Sequence, residues 1–148
     1  MAVTGASTTS YQAIALTTGI TYEFRVVAIN DVGESIPSTS TPMVIATVPG
    51  EPSSPSKIDQ TLTTLKIQWI APTIDGGSPV TDYQIKIDRE DGNGFVVSGN
   101  TGSASILQFT QTGLTPGQDY HFTVAAINIV GQGVDSIATK IVAGTVPA

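Results

Sequence analysis

Tyr120-His121-Phe122-Thr123-Val124-Ala125-Ala126-Ile127-Asn128 is the stretch that decides the fold. Tyr120, Phe122, Val124 and Ala126 fall on one face of an extended chain, and His121, Thr123 and Ala125 on the other. A period of two with one apolar face marks a half-buried β-strand. The run also stands earlier, as Tyr22-Glu23-Phe24-Arg25-Val26-Val27-Ala28-Ile29-Asn30, at a constant offset of 98 residues (Tyr22 to Tyr120). The match extends without a gap from 16–49 to 114–147, with about half the aligned residues identical. A fixed period of one small domain's length denotes a repeat array. The 148 residues hold about one and a half periods, so one complete module follows the C-terminal half of another.

Working outward, Leu65, Ile67 and Trp69 alternate with Lys66 and Gln68, and Tyr83, Ile85 and Ile87 with Gln84 and Lys86. Thr and Ser make up roughly a fifth of the chain, and Gly and Pro punctuate it at short intervals. Short alternating strands without a helical segment predict an all-β, antiparallel sandwich. The complete module should carry strands A (55–60), B (63–70), C (81–89), C′ (95–98), E (105–110), F (119–128) and G (137–145). A Gly-rich turn, Asp91-Gly92-Asn93-Gly94, should join C to C′. The plan is a partial module over 1–48 holding only E, F and G, a Pro-rich linker over 49–55, and the complete module over 56–148. Pro49, Pro52 and Pro55 make that linker a stiff spacer.

Several motifs in order then carry a family resemblance. Trp69 is followed by Ala71-Pro72, and Asp75-Gly76-Gly77-Ser78-Pro79-Val80 precedes Tyr83. Leu114-Thr115-Pro116-Gly117 precedes Tyr120, and Gly131 and a closing Thr145-Val146-Pro147 follow it. The chain resembles fibronectin type III repeats, over all of 51–148 and nearly all of 5–49. The resemblance implies an immunoglobulin-like, seven-stranded sandwich with its ends at opposite poles, and adhesive, spacer or scaffold roles.

Composition excludes several classes. The net charge is −6, and the six basic residues (Arg25, Lys57, Lys66, Lys86, Arg89, Lys140) are scattered, which argues against nucleic acid. Cysteine is absent, removing disulfides, thiol nucleophiles and cysteine metal sites together. No stretch approaches the ~20 apolar residues of a membrane span, so no membrane insertion is expected. The start, Met1-Ala2-Val3-Thr4-Gly5, lacks the regions of a signal peptide. If the native protein is exported, an internal piece or an excised unit of it is expected here.

No catalytic, cofactor or metal residues are assigned. Trp69, Tyr83, Leu114, Tyr120, Phe122 and Val124 are read as structural core, not as a ligand platform. Tyr120, after Leu114 and Pro116, fits a tyrosine corner, whose hydroxyl bonds back to nearby backbone, and Tyr22 is its counterpart. His121 is the only imidazole, has no second histidine or nucleophile beside it, and matches the outward Glu23. Asp88-Arg89-Glu90-Asp91-Gly92-Asn93-Gly94 crowds acidic oxygens, yet lacks the distal Glu of a calcium loop and reads as a hairpin turn. Arg-Gly-Asp is absent from both F–G loops, as are Asn-x-Ser/Thr sequons. O-glycans are permitted by the Ser and Thr content without being predicted.

The half module sets the functional question. Alone, it would expose Tyr22, Phe24, Val26, Ala28 and Val44, at a cost on the order of 10 kcal/mol. That rivals the ~5–15 kcal/mol stability of a whole small domain. These five residues are therefore expected to form an inter-chain interface, completed by neighbouring modules or copies of the chain. Upstream chain could equally supply the missing strands, or the half could be disordered. Borrowing strands within the chain is disfavoured. The poles lie roughly 30 Å apart by strand length, and the eight steps from Val48 to Ser56 reach at most about 27 Å. Two E–F–G halves against one A–C′ half leave one half over, the arrangement that propagates by strand exchange. The expected function is a non-enzymatic structural or adhesive repeat of an extended or filament-forming surface protein. The alternatives are an intracellular scaffold repeat, titin-like or ciliary, and an accessory domain of a secreted enzyme. Cell surface is the corresponding location, with cytoskeletal or ciliary as the alternative.

Overall fold

The computed structural model describes residues 4–145. Met1-Ala2-Val3 of the leader reading and Val146-Pro147 of the repeat alignment lie outside the described residues. The chain divides into two compact units, Met1–Ile45 and Ala46–Ala148. Every regular element among the described residues is a strand.

In the first unit, β1 (Thr21–Phe24) pairs antiparallel with β4 (Thr41–Val44), placing Tyr22 opposite Met43. Nearer the hairpin tip, β2 (Ile29–Asn30) pairs with β3 (Gly33–Glu34). Two serines bridge the gap between the pairs. Ser38 Oγ accepts from Val26 N at 3.0 Å while Ser38 N donates to Val26 O at 2.9 Å, and Ser35 treats Ala28 in the same way. Residues 4–20 hold no strand, so the expected E strand does not form there. In the second unit the E-type strand pairs only with a B-type strand, and the described residues 4–45 contain none.

The second unit is a two-sheet sandwich. One sheet runs in the order β5 (Ser56–Gln60), β6 (Leu65–Gln68), β9 (Gln108–Gln111). The other contains β7 (Asp82–Asp88), β8 (Val96–Asn100), β10 (Asp119–Ile127), β11 (Gln132–Asp135) and β12 (Thr139–Val142). In it, β10 is central, with β7 on one side and both β11 and β12 on the other. The strand expected as one G element over 137–145 thus starts earlier and is split. The cause is Ser136, whose Oγ takes the N–H of Val124 at 3.0 Å where a ladder carbonyl would otherwise stand.

Leu65, Ile67 and Trp69 from one sheet pack against Tyr83, Ile85, Ile87, Tyr120, Phe122, Val124 and Ala126 from the other, with Leu114 closing the core. Trp69 and Tyr83 meet edge to face, ring centroids 5.5 Å apart at 62°. Burying each large apolar side chain contributes ~1.5–3 kcal/mol, and alternation aims them all inward.

The segment expected as a spacer over 49–55 is instead laid on the second unit. Thr47, Gly50 and Ser53 donate their N–H groups to the carbonyls of Gly76, Ile74 and Ile70 at 2.8, 2.9 and 3.0 Å. Ile70 N donates back to Ser53 Oγ at 2.8 Å, and Pro49, Pro52 and Pro55 are buried. The physical reason lies in the spacing. Donors and prolines each recur every third residue, matching the threefold turn of an extended proline-rich chain. Proline has no N–H to lose, so its ring can be buried without orphaning a donor.

Candidate interaction surface

The two copies of the F–G hairpin share a backbone. Thr17 N donates to Tyr22 Oη at 3.0 Å in the first, and Thr115 N to Tyr120 Oη at 2.9 Å in the second. Ser38 and Ser136 make the same reciprocal bonds to Val26 and Val124. Asn30 and Asn128 each use Oδ1 to accept from the second and third N–H beyond them, at 2.9 and 3.2 Å in both copies. These are contacts within a dozen residues, and both copies make them.

Side-chain environment differs throughout. Phe24 is 36% exposed and Phe122 is 0%. Val26 is 73% exposed against 0% for Val124, and Ala28 is exposed where Ala126 is sealed. Tyr22 is only half-buried, whereas Tyr120 lies in the core. The first unit therefore presents Tyr22, Phe24, Val26 and Ala28 as an uncovered apolar stripe.

Val44 does not belong to that stripe, which corrects the sequence expectation. It is 54% exposed, but its counterpart Val142 is 50% exposed even in the complete module. Met43 takes its place: 55% exposed itself, it corresponds to Ile141, which is 6% exposed. Alternation places Met43 on the same face as its register partner Tyr22. The repeat alignment pairs Met43 with Ile141, but that Ile141 faces inward is read from its burial.

The polar candidates are engaged in local structure. His121 Nε2 lies 2.9 Å from Glu90 Oε1 on the outer face. Asp88 and Asp91 turn their carboxylates onto the N–H groups of Glu90 and Asn93, at 2.8 and 3.0 Å. Hydrogen bonds from Asn93 hold Asp91 below the usual carboxylate range. Among the described residues no group of three or more His, Cys, Asp or Glu converges as a metal would need, and no helix is long and apolar enough to cross a membrane. Asp82, which sequence reasoning passed over, is a hub: it accepts from Tyr83 N, Thr101 Oγ1 and Gly102 N through Oδ1 and from Asn100 Nδ2 through Oδ2. Burial pushes its carboxyl up, but these donors outweigh burial and hold it below its ordinary value.

Comparison with known proteins agrees with this geometry. The family model described as "Fibronectin type III domain" matches residues 50–142. A titin homolog of Caenorhabditis elegans is 36% identical over 94 residues, covering 64% of this chain and, to the nearest per cent, 0% of that protein. A Kelch domain-containing protein of Saccharolobus solfataricus is 32% identical over 133 residues, covering 90% of this chain and 18% of that protein. Among solved structures, titin domains A168–A170 superpose with a TM-score of 0.63 at 21% identity, covering 78% of this chain and 38% of that one. The chain thus spans less than a fifth of the length of these two relatives. The two-sheet sandwich of the second unit, the tyrosine corner and the match over 50–142 place this chain in the fibronectin type III family.

Proposed function

We propose that this chain is a stretch of a tandem array of structural repeats in an extended protein, acting by protein–protein contact and not by catalysis. Domains of this family are in general non-catalytic scaffold modules that mediate protein contacts. The observation that carries the reading is the stripe Tyr22, Phe24, Val26, Ala28 and Met43, uncovered on a hairpin whose complete copy is sealed. Its natural occupant is a pair of β-strands of the kind that β6 and β7 form in the second unit. Backbone pairing along β1 would supply affinity and the apolar stripe register. Those strands come either from a neighbouring chain, giving adhesion or a fibre by serial exchange, or from preceding chain in a longer polypeptide.

Sedimentation of the 148-residue chain against concentration separates the two sources. Concentration-dependent growth that Phe24→Asp abolishes supports the neighbouring chain. A chain that stays monomeric, but gains protection at the Glu23 and Arg25 amides, which alternate with the hairpin-bonded ones, when further sequence is joined upstream, supports the longer polypeptide. Protected amides there in the dilute monomer would refute completion from outside.

An intracellular scaffold role is the second reading, and the titin homolog among the relatives favours it over a cell-surface role. Locating the tagged parent protein in its own cell decides between them.

A further inference from the structure

The segment Thr47-Val48-Pro49-Gly50 sits in a notch made for it. Thr47 O accepts from Asn128 Nδ2 at 2.7 Å, and Thr47 N donates to Gly76 O at 2.8 Å. Asn128 is buried, and its amide nitrogen also reaches Asp75 O at 2.9 Å. Its Oδ1 is already committed to Val130 and Gly131 N–H, so the side chain is locked with its amide aimed at the segment. Two glycines make the room. A Cβ on Gly76 would lie 2.2 Å from Thr47 O, and one on Gly133 would lie 2.1 Å from Pro49 O. Both targets are backbone, so a side chain at either position would evict the segment. Gly131 adds ordinary contact, with its would-be Cβ 3.7 Å from Val48 Cγ1.

The occupant's sequence recurs 98 residues on (Thr47 to Thr145), since Thr145-Val146-Pro147-Ala148 repeats Thr47-Val48-Pro49-Gly50 with one change, Ala148 in place of Gly50. The notch tolerates that change, because a Cβ on Gly50 would meet Ile74 Cβ and O at 3.5 Å, ordinary van der Waals contact. One position of the notch differs in the first unit, where Ser35 stands in place of Gly133.

We propose that the tetrapeptide is a plug and the Gly76–Asn128–Gly133 notch its socket. By its sequence alone, 145–148 is the matching plug for any module joined after it that carries Asn and the two glycines at the corresponding positions. The proposal rests on the tandem-array reading and adds a rule to it. A module accepts a Thr-Val-Pro neighbour only if its socket is free of side chains, so Ser at the Gly133 position marks a module joined differently to what precedes it. Most of the plug lies outside the stretch matched by the family model, which begins at residue 50.

Amide exchange read by NMR tests the rule in two ways. In the native chain, the Thr47 and Gly50 amides should exchange at least ~100-fold more slowly than in free chain. Gly133→Ala should return both to free-chain rates while Ile85 and Val124 stay protected. Thr47→Pro, which removes the Thr47 donor and fixes φ there without touching the socket, should free Gly50 with the same core intact. The second arm appends residues 51–148 directly after Ala148. Thr145 and Ala148 should then become protected, and Gly133→Ala in the appended module alone should release them. Free exchange of Thr47 and Gly50 in the native chain overturns the socket. Protection of Thr47 and Gly50 with free exchange of Thr145 beside a folded appended module overturns the second plug. Neither arm uses the stripe on β1, so this proposal and strand completion fail independently.

Discussion

The hairpins of residues 22–44 and 120–142 have nearly the same sequence and backbone bonds, yet one is the centre of a core and the other an open face. Their serine bridges agree to within 0.1 Å, while Val26 and Val124 stand at opposite ends of the burial scale. The comparison separates two kinds of information. Hydrogen bonding along the hairpin is written within it. Burial is conferred by the sheet opposite, which only the second copy has.

The largest expected effect breaks the symmetry outright. Phe122→Ala should cost the second unit ~3–5 kcal/mol, and so should Trp69→Ala. Phe24→Ala should leave the dilute chain's urea midpoint unchanged. A cost of several kcal/mol for Phe24 would show that the first hairpin is covered after all, and a cost below ~1 kcal/mol for Trp69 would remove it from the core.

Serines give the next contrast. Ser136→Ala orphans the buried Val124 N–H and should cost ~1–3 kcal/mol. Ser38→Ala leaves Val26 N–H open to water and should cost close to nothing. Equal losses in chemical denaturation would mean that burial does not set the value of this bond.

A smaller effect concerns a position with no counterpart in the first unit. Asp82 titrates below its ordinary 3.8 in the folded state. Its contribution is therefore present above the unfolded value and lost as pH falls through the folded one. Native chain should be more stable than Asp82→Asn near neutrality, with the gap closing in acid below pH ~4. A gap independent of pH would assign the stabilisation to shape and not to charge.

The smallest effect is local to the first hairpin. Ala15 holds φ 58° where its counterpart Gly113 holds 68°. Ala15→Gly should stabilise that turn by about 1 kcal/mol once the hairpin is completed. No change in the midpoint of the completed form would show that the turn is not part of the cooperative unit.

Much was legible in the residues themselves. Period-two alternation at 120–126 and 65–69 specified strands and their inward faces, and the 98-residue offset specified the modules. The tyrosine corners follow from Leu-Thr-x-Gly, whose Thr stands five residues ahead of each tyrosine, a relation short enough for sequence to hold. Tertiary structure decided the rest, because those features depend on what lies across a gap in the chain. The course of residues 47–53 depends on carbonyls of Gly76, Ile74 and Ile70, some 17 to 29 residues away (Ser53 to Ile70, Thr47 to Gly76). Ser136 splits the last strand only because Val124 stands opposite it. Met43 displaces Val44 from the open stripe only once register with Tyr22 is known. Among the described residues 4–20 no strand E forms, and no B-type strand stands beside them. A strand's pattern is intrinsic, but its existence needs a neighbour to receive its hydrogen bonds.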